Sequence, residues 1–145
     1  MTDNDQQVSV SRVIDAPPED IFAVLTDPAQ HPVIDGSGTV KATSSGDERL
    51  ELGSKFGMKM RIGLPYRIGN TVVEYEPDRL IAWRHAGRHR WRYELEPVDG
   101  GTKVTETFDY STALTPWAYE WAKIPDGHEG NIEATLDRLD TVVSE

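Results

Sequence analysis

Glu106 is the first residue whose type and position suggest chemistry. It lies in a stretch where Val104, Glu106, Phe108 and Tyr110 recur at every second position. That spacing puts all four on one face of a strand. A carboxyl group on an apolar face, with no cation beside it, loses hydration and its pKa rises. It then becomes a plausible general acid or base. The plainer alternative is a structural carboxyl hydrogen-bonded to Tyr93 or to a helix side chain. His89 is the second proton carrier to consider, because imidazole titrates near neutrality. Its position at a strand end also allows a merely solvated role. Tyr93 and Tyr110 can each orient a ligand carbonyl or hydroxyl, or simply present an apolar body with a wet tip.

These residues are brought together by a hairpin. Arg88 to Glu96 alternates, with His89, Trp91, Tyr93 and Leu95 on one face and Arg88, Arg90, Arg92, Glu94 and Glu96 on the other. Asp99-Gly100 is a strong turn signal. A turn there pairs Val98 with Gly101, Leu95 with Val104, Tyr93 with Glu106, Trp91 with Phe108 and His89 with Tyr110. A slip of one residue would bury Arg90 and Arg92, and unpaired buried charge forbids that. The preceding hairpin has two possible registers. A three-residue turn over Ala86 to Arg88 pairs Trp83 with Trp91 and His85 with His89, burying two tryptophans. A two-residue turn leaves Trp83 outside, against Arg90. The first is preferred.

The remaining elements must hold this wall. Val8 to Asp15 reads as a strand, and Ala16 to Asp20 switches the period. Proline costs little at a helix start, and Glu19 and Asp20 suit the positive end of the helix dipole. Ile21, Phe22 and Leu25 form a helical stripe that ends near Asp27-Pro28. A second short helix or turn reaches Ile34. Strands are expected over Thr39 to Ser44, Lys55 to Ile62, Arg67 to Glu76, Leu80 to His85, Arg88 to Glu96 and Thr102 to Tyr110. Gly63 to Pro65 is expected to break the chain between two of them. In Lys55 to Ile62, Phe56, Met58 and Met60 share one face with Ile62, as in a sheet buried on one side. Methionine adapts to irregular shapes, which suits a ligand wall as well as a core. Thr115 to Val143 is helical in pattern but interrupted at Pro125-Asp126-Gly127. Trp117 and Trp121 precede that break, where a lid and plain packing are both open. Ile132, Leu136, Leu139 and Val143 form the stripe that follows it.

Composition removes several function classes. The 145 residues suit one domain, with Met1 to Gln7 as a frayed polar tail and 8–145 as the folded unit. There is no cysteine, so no disulfide or thiolate chemistry is possible, and a reducing cytoplasm is the expected location. Acidic residues outnumber basic ones 25 to 15, for a net charge of -10, which argues against nucleic acid as a partner. No signal peptide or membrane span is expected. The basic cluster Arg84, Arg88, Arg90 and Arg92 reads as the solvated outer face of a sheet, paired with Glu94, Glu96 and neighbouring carboxylates. The four histidines (His31, His85, His89, His128) lack metal-ligand spacing, so no metal is expected. Nucleotide-binding loops and the serine-hydrolase elbow are missing too.

The order strand, two short helices, six strands and a long C-terminal helix resembles the START-like superfamily, which includes polyketide cyclase/dehydrase, lipid-transfer and birch-pollen-allergen-like proteins. Ile14-Asp15-Ala16-Pro17-Pro18-Glu19-Asp20-Ile21-Phe22 is similar to its strand-to-helix junction. Tyr75-Glu76-Pro77-Asp78-Arg79-Leu80-Ile81-Ala82-Trp83 is similar to its mid-sheet hairpin. Gly101 to Thr107 resembles the opening of its last strand, and Thr135 to Leu139 its C-terminal helix. The resemblance implies an α+β helix-grip fold: a curved antiparallel sheet of about seven strands wrapped around the long helix, with a cavity between them. Fold does not carry function across so broad a group. Three functions fit. One is binding of a lipid, sterol or polyketide-like molecule, with Phe56, Met58, Met60, Trp83, Trp91, Tyr93, Phe108, Tyr110, Trp117 and Trp121 as the lining. Another is a cofactor-free aromatase/cyclase or dehydratase in which Glu106, with His89 or Tyr93, moves protons. The third is a protein-interaction module with a vestigial cavity.

Overall fold

A computed structural model describes residues 7–35, 40–45, 49–62, 64–84, 89–111 and 128–144. The alternating segments become seven strands. These are β1 (Gln7–Ile14), β2 (Val40–Ser45), β3 (Lys55–Ile62), β4 (Leu64–Glu76), β5 (Leu80–Arg84), β6 (Arg90–Val98) and β7 (Gly101–Asp109). They form one antiparallel sheet in the order β1-β7-β6-β5-β4-β3-β2. From β2 to β7 every strand pairs with its neighbour in sequence, and β1 closes on β7. Three helical pieces are described besides: α1 (Pro18–Leu25) with a 3-10 turn after it (Pro28–Gln30), α2 (His31–Ile34) and α3 (His128–Val143). The fold is the helix-grip arrangement that the sequence implied.

The register is the one expected. β6 and β7 pair Leu95 with Val104, Tyr93 with Glu106 and Trp91 with Phe108, around a turn that sets Val98 opposite Gly101. β5 and β6 pair Trp83 with Trp91, which settles the preceding hairpin in favour of the inward tryptophan. His85, Ala86 and Arg88 lie outside the described residues, and so does the pairing of His85 with His89. At the turn, Gly100 has φ +88° and Gly101 has φ +141°. A Cβ on Gly101 would lie 2.0 Å from the backbone oxygen of Ile14. Only glycine lets β7 start so close to the end of β1.

Several strand ends shift by a residue from expectation, and two strand starts differ in ways that bear on the fold. β4 begins at Leu64, so Pro65 lies inside the ladder opposite Arg61 instead of in a break. Proline is tolerated near the start of a strand, where its missing N–H is least needed. β1 begins at Gln7, expected in the tail. Gln7 pairs with Asp109, and its amide donates to the Asp109 carboxylate.

α1 forms as its sequence requires. Pro17 is extended (φ -72°, ψ 154°) and Pro18 occupies the first turn, with Glu19 and Asp20 beside it. Ile21, Phe22 and Leu25 are its buried face. Thr26 ends it, donating its hydroxyl to the carbonyl of Phe22 at 2.8 Å. α3 buries Ile132, Thr135, Leu136 and Leu139, while Val143 is partly buried. The helix packs on β1, β7, α1 and α2. Arg12 of β1 ties it down through Asp140 at 2.9 Å and Asp137 at 3.4 Å. The expected break at Pro125 to Gly127 and the segment carrying Trp117 and Trp121 lie outside the described residues.

The two faces of the sheet differ sharply. The face towards α1 and α3 carries Val72, Ile81, Trp83, Tyr93, Leu95, Val104 and Phe108, all in one buried cluster with the helices. The opposite face is polar. Ser9 bonds Thr107 and Ser11 bonds Thr105 across β1 and β7, each at 2.8 Å. Glu74 accepts from Arg90 at 2.6 Å and from both ends of the Arg92 guanidinium at 2.9 Å. Arg92 also donates to Asp109 at 3.1 Å. Arg90 and Arg92 of the basic cluster are therefore paired with neighbouring carboxylates on β4 and β7 rather than with Glu94 and Glu96, which are exposed; Arg88 lies outside the described residues. Partners on neighbouring strands stand closer than residues two apart on one strand. The small Ala82 on β5 lets Glu74 reach across it to β6.

Candidate functional site

The inner face of the sheet is laid out in rows set by the register. Glu106 on β7, Tyr93 on β6 and Ile81 on β5 form one row, with Tyr75 of β4 beyond. Phe108, Trp91, Trp83 and Val72 form the next. β3 adds Phe56, paired with Asn70 of β4. The rings along these rows are in contact. Trp83 meets Tyr93 at 5.6 Å and Phe56 at 5.5 Å between centroids. Phe108 meets Trp91 at 4.8 Å, His89 at 5.1 Å and Tyr110 at 5.8 Å. Such offset and edge-on contacts are the favoured geometries for aromatic pairs.

Glu106 is 3 % exposed, on an otherwise apolar face. Burial pushes its carboxyl up to about 8, aided by the charge of Asp35; the Tyr93 hydroxyl bonds it and offsets only part of that rise. At neutral pH the group is therefore mostly a neutral acid. Its Oε1 is buried and has no hydrogen-bond partner among the described residues. Tyr93 is raised well above the usual phenol range, first by burial and then by Glu106.

His89 is 7 % exposed, so the solvated reading of this residue is wrong. The ring lies against Phe108, just before β6 begins at Arg90. It sits one row beyond Trp91 and Phe108, on the side away from Glu106, and the direct partner of Glu106 is Tyr93. Phe56, Trp83, Tyr93, Phe108 and Tyr110 are buried on this wall, and Trp91 is half-buried. Met58 and Met60 lie on β3 opposite Ile68 and Tyr66. Trp117 and Trp121 lie outside the described residues.

Two polar residues of the site were not singled out in the sequence. His31 opens α2, is 4 % exposed, and stacks on Trp83 at 4.8 Å with Phe56 edge-on at 5.2 Å. Its Nε2 lies 2.9 Å from the carbonyl oxygen of Leu25. A carbonyl only accepts, so Nε2 carries the proton and Nδ1 is a bare lone pair. Burial lowers the His31 pKa; the Leu25 bond and the charge of Asp27 offset part of that. Asn70 is buried beside Phe56. Both His31 Nδ1 and Asn70 Nδ2 lack a partner among the described residues. The one available signal for His31 was its place between a proline turn and the apolar Val33-Ile34, too weak to mark a buried ring.

Among the described residues no three histidine, aspartate or glutamate side chains are grouped to hold a metal ion. No described helix is long and apolar enough to cross a membrane.

Residues 5–144 match the family model described as polyketide cyclase/dehydrase and lipid transport. The chain belongs to that family. Its members' description spans cyclisation, dehydration and lipid transport, so membership fixes the fold type more firmly than the reaction. Two Mycobacterium tuberculosis proteins, the uncharacterised Rv0088 and MT0096, are 41% and 40% identical to this chain over 139 residues. Those matches cover 92% of this chain but 62% of each relative, so the chain spans less than two thirds of their length. Among solved structures, protein NE0264 of Nitrosomonas europaea aligns with a TM-score of 0.75 at 18% identity, covering 99% of this chain and 97% of that one. The AHSA1-like protein of Aeromonas hydrophila aligns at 0.67 and 18% identity, covering 96% and 95%. Ms6760 of Mycobacterium smegmatis aligns at 0.72 and 16% identity, covering 99% and 95%. These likenesses establish the shared fold.

Proposed function

We propose that this family member binds a hydrophobic small molecule, a lipid, sterol or polyketide-like compound, between the inner face of the sheet and α3. The observation that carries the reading is the combination on that face of a continuous aromatic wall with buried polar atoms that have no partner among the described residues. Leaving such an atom unpaired costs about 1–3 kcal/mol. A wall built only for packing gains nothing from three of them. A ligand that covers the rings and meets the polar atoms recovers that cost, in the usual pattern of apolar sites with a few placed polar groups. Phe56, Trp83, Tyr93 and Phe108 are the core of the proposed lining. Calorimetric titration with a fatty alcohol, a sterol and a polycyclic aromatic alcohol tests it. Saturable one-to-one binding of at least one class is expected, weakened about tenfold or more by Trp83→Ala. No saturable binding across the panel refutes it.

A proton-transfer role for Glu106 is the second reading, supported by its position as a neutral acid with one oxygen that has no partner among the described residues. In that role Glu106 gives or takes the proton, Tyr93 holds its other oxygen, and the aromatic wall positions the reacting chain. Glu106→Gln then keeps affinity and abolishes conversion of the bound compound. Loss of affinity with no conversion by the native protein assigns Glu106 to binding alone.

A further inference from the structure

His31 has no part in the proton chemistry considered above, yet its surroundings are built with care. The ring is clamped between Trp83 and Phe56, and its Nε2–H is committed to Leu25. That bond fixes the tautomer, so Nδ1 can only accept. Asn70, opposite Phe56 on the neighbouring strand, holds a buried amide nitrogen with no partner among the described residues. A trapped water needs two to four polar partners, and the rings packed on His31 are those of Phe56 and Trp83.

We infer that His31 Nδ1 accepts a hydrogen bond from the bound molecule, so that the site selects apolar ligands bearing a hydroxyl or N–H group over otherwise equal ligands that lack one. The inference rests on the ligand-site reading above and narrows it. A site with a buried acceptor discriminates against an analogue that leaves the acceptor empty, because both partners then lose the bond. An ether or an ester of the right shape still covers the aromatic wall but leaves Nδ1 orphaned. A hydroxyl satisfies it.

The test compares 1-naphthol with 1-methoxynaphthalene, which share a ring system and differ in the donor. Calorimetry on the native chain should give tighter binding of the naphthol. His31→Phe keeps an aromatic ring in the stack and removes the acceptor. The ratio of the two dissociation constants should fall about tenfold in that variant, with ether binding kept. An unchanged ratio overturns the assignment while leaving the ligand site standing. Failure of both compounds, and of the fatty alcohol and the sterol, to bind the native chain overturns the ligand site and this inference with it. Nitrogen-15 spectra of the native imidazole provide a readout that does not depend on the variant folding. Nδ1 should be unprotonated, and its resonance should move upfield with 1-naphthol but not with the ether. A protonated Nδ1, or a resonance indifferent to bound naphthol, overturns the assignment.

Discussion

Replacing Glu106 by glutamine should stabilise the protein, by an amount that grows with pH. The carboxyl has its folded pKa raised from 4.5 to about 8. Below 4.5 both the folded and unfolded chains hold the proton, and Glu106 contributes no pH dependence. Between 4.5 and 8 the unfolded chain releases it while the folded chain retains it, so folding becomes steadily less favourable as pH rises. The loss is about 1.4 kcal/mol per pH unit, which gives about 3 kcal/mol by pH 7 and about 5 kcal/mol once the pH passes 8. Glutamine is neutral throughout and nearly the same shape. Its carbonyl can still accept from Tyr93, and its amide replaces the acid O–H. His31 works in the opposite direction: its lowered pKa makes stability rise with pH up to about 6.5. That contribution is present in both proteins and cancels in their difference. Urea unfolding of native and variant chains at pH 4 and pH 8.5 measures the gap. The variant should gain several kcal/mol on the native chain between the two. A gap that stays constant refutes the buried neutral acid, and with it the electrostatic basis for any role of Glu106 in proton transfer.

Tyr93→Phe removes the hydroxyl that favours the ionised form of Glu106, so the carboxyl should titrate higher still, as read by carbon-13 NMR. Gly101→Ala forces a Cβ into the Ile14 carbonyl at a positive φ and should cost about 3 kcal/mol in a urea melt. On the outer face, burial raises the Asp109 carboxyl, but bonds from Ser111 and Arg92 outweigh it and leave the pKa lowered; Glu74 is lowered mainly by Arg92. Their stabilisation is present above the carboxylate range and should be lost as pH falls through their depressed folded values. Glu74→Gln should weaken that acid dependence and cost about 2 kcal/mol at pH 7.

Most of the fold was legible because one buried face imposes a period of two. Arg90 and Arg92 could not be turned inward, which fixed the β6–β7 register and so placed Tyr93 opposite Glu106. Burial of two tryptophans favoured the β5–β6 register that pairs Trp83 with Trp91, and the structure has that pairing. Pro65 was misread because a proline near a strand start looks the same in sequence as a break. The arginines were expected to pair with Glu94, Glu96 and neighbouring carboxylates; the neighbouring ones, Glu74 and Asp109, take Arg90 and Arg92, because charge pairing across strands depends on which strands are neighbours and on the small Ala82 between them. His31 and Asn70 escaped notice as well. His31 sits in no alternating pattern, and its ring is buried because α2 brings it against Phe56 of β3 and Trp83 of β5, a contact between segments far apart in sequence; Asn70 sits on the inward face of β4, where a polar residue in the alternation reads as a break in it.

Native mass spectrometry of the purified chain, followed by denaturing extraction, tests the central claim most directly. The account predicts a stoichiometric apolar adduct, or a one-to-one complex on addition of 1-naphthol, released on unfolding. A chain that remains empty alone and with every apolar compound offered contradicts it, and leaves the aromatic face as packing.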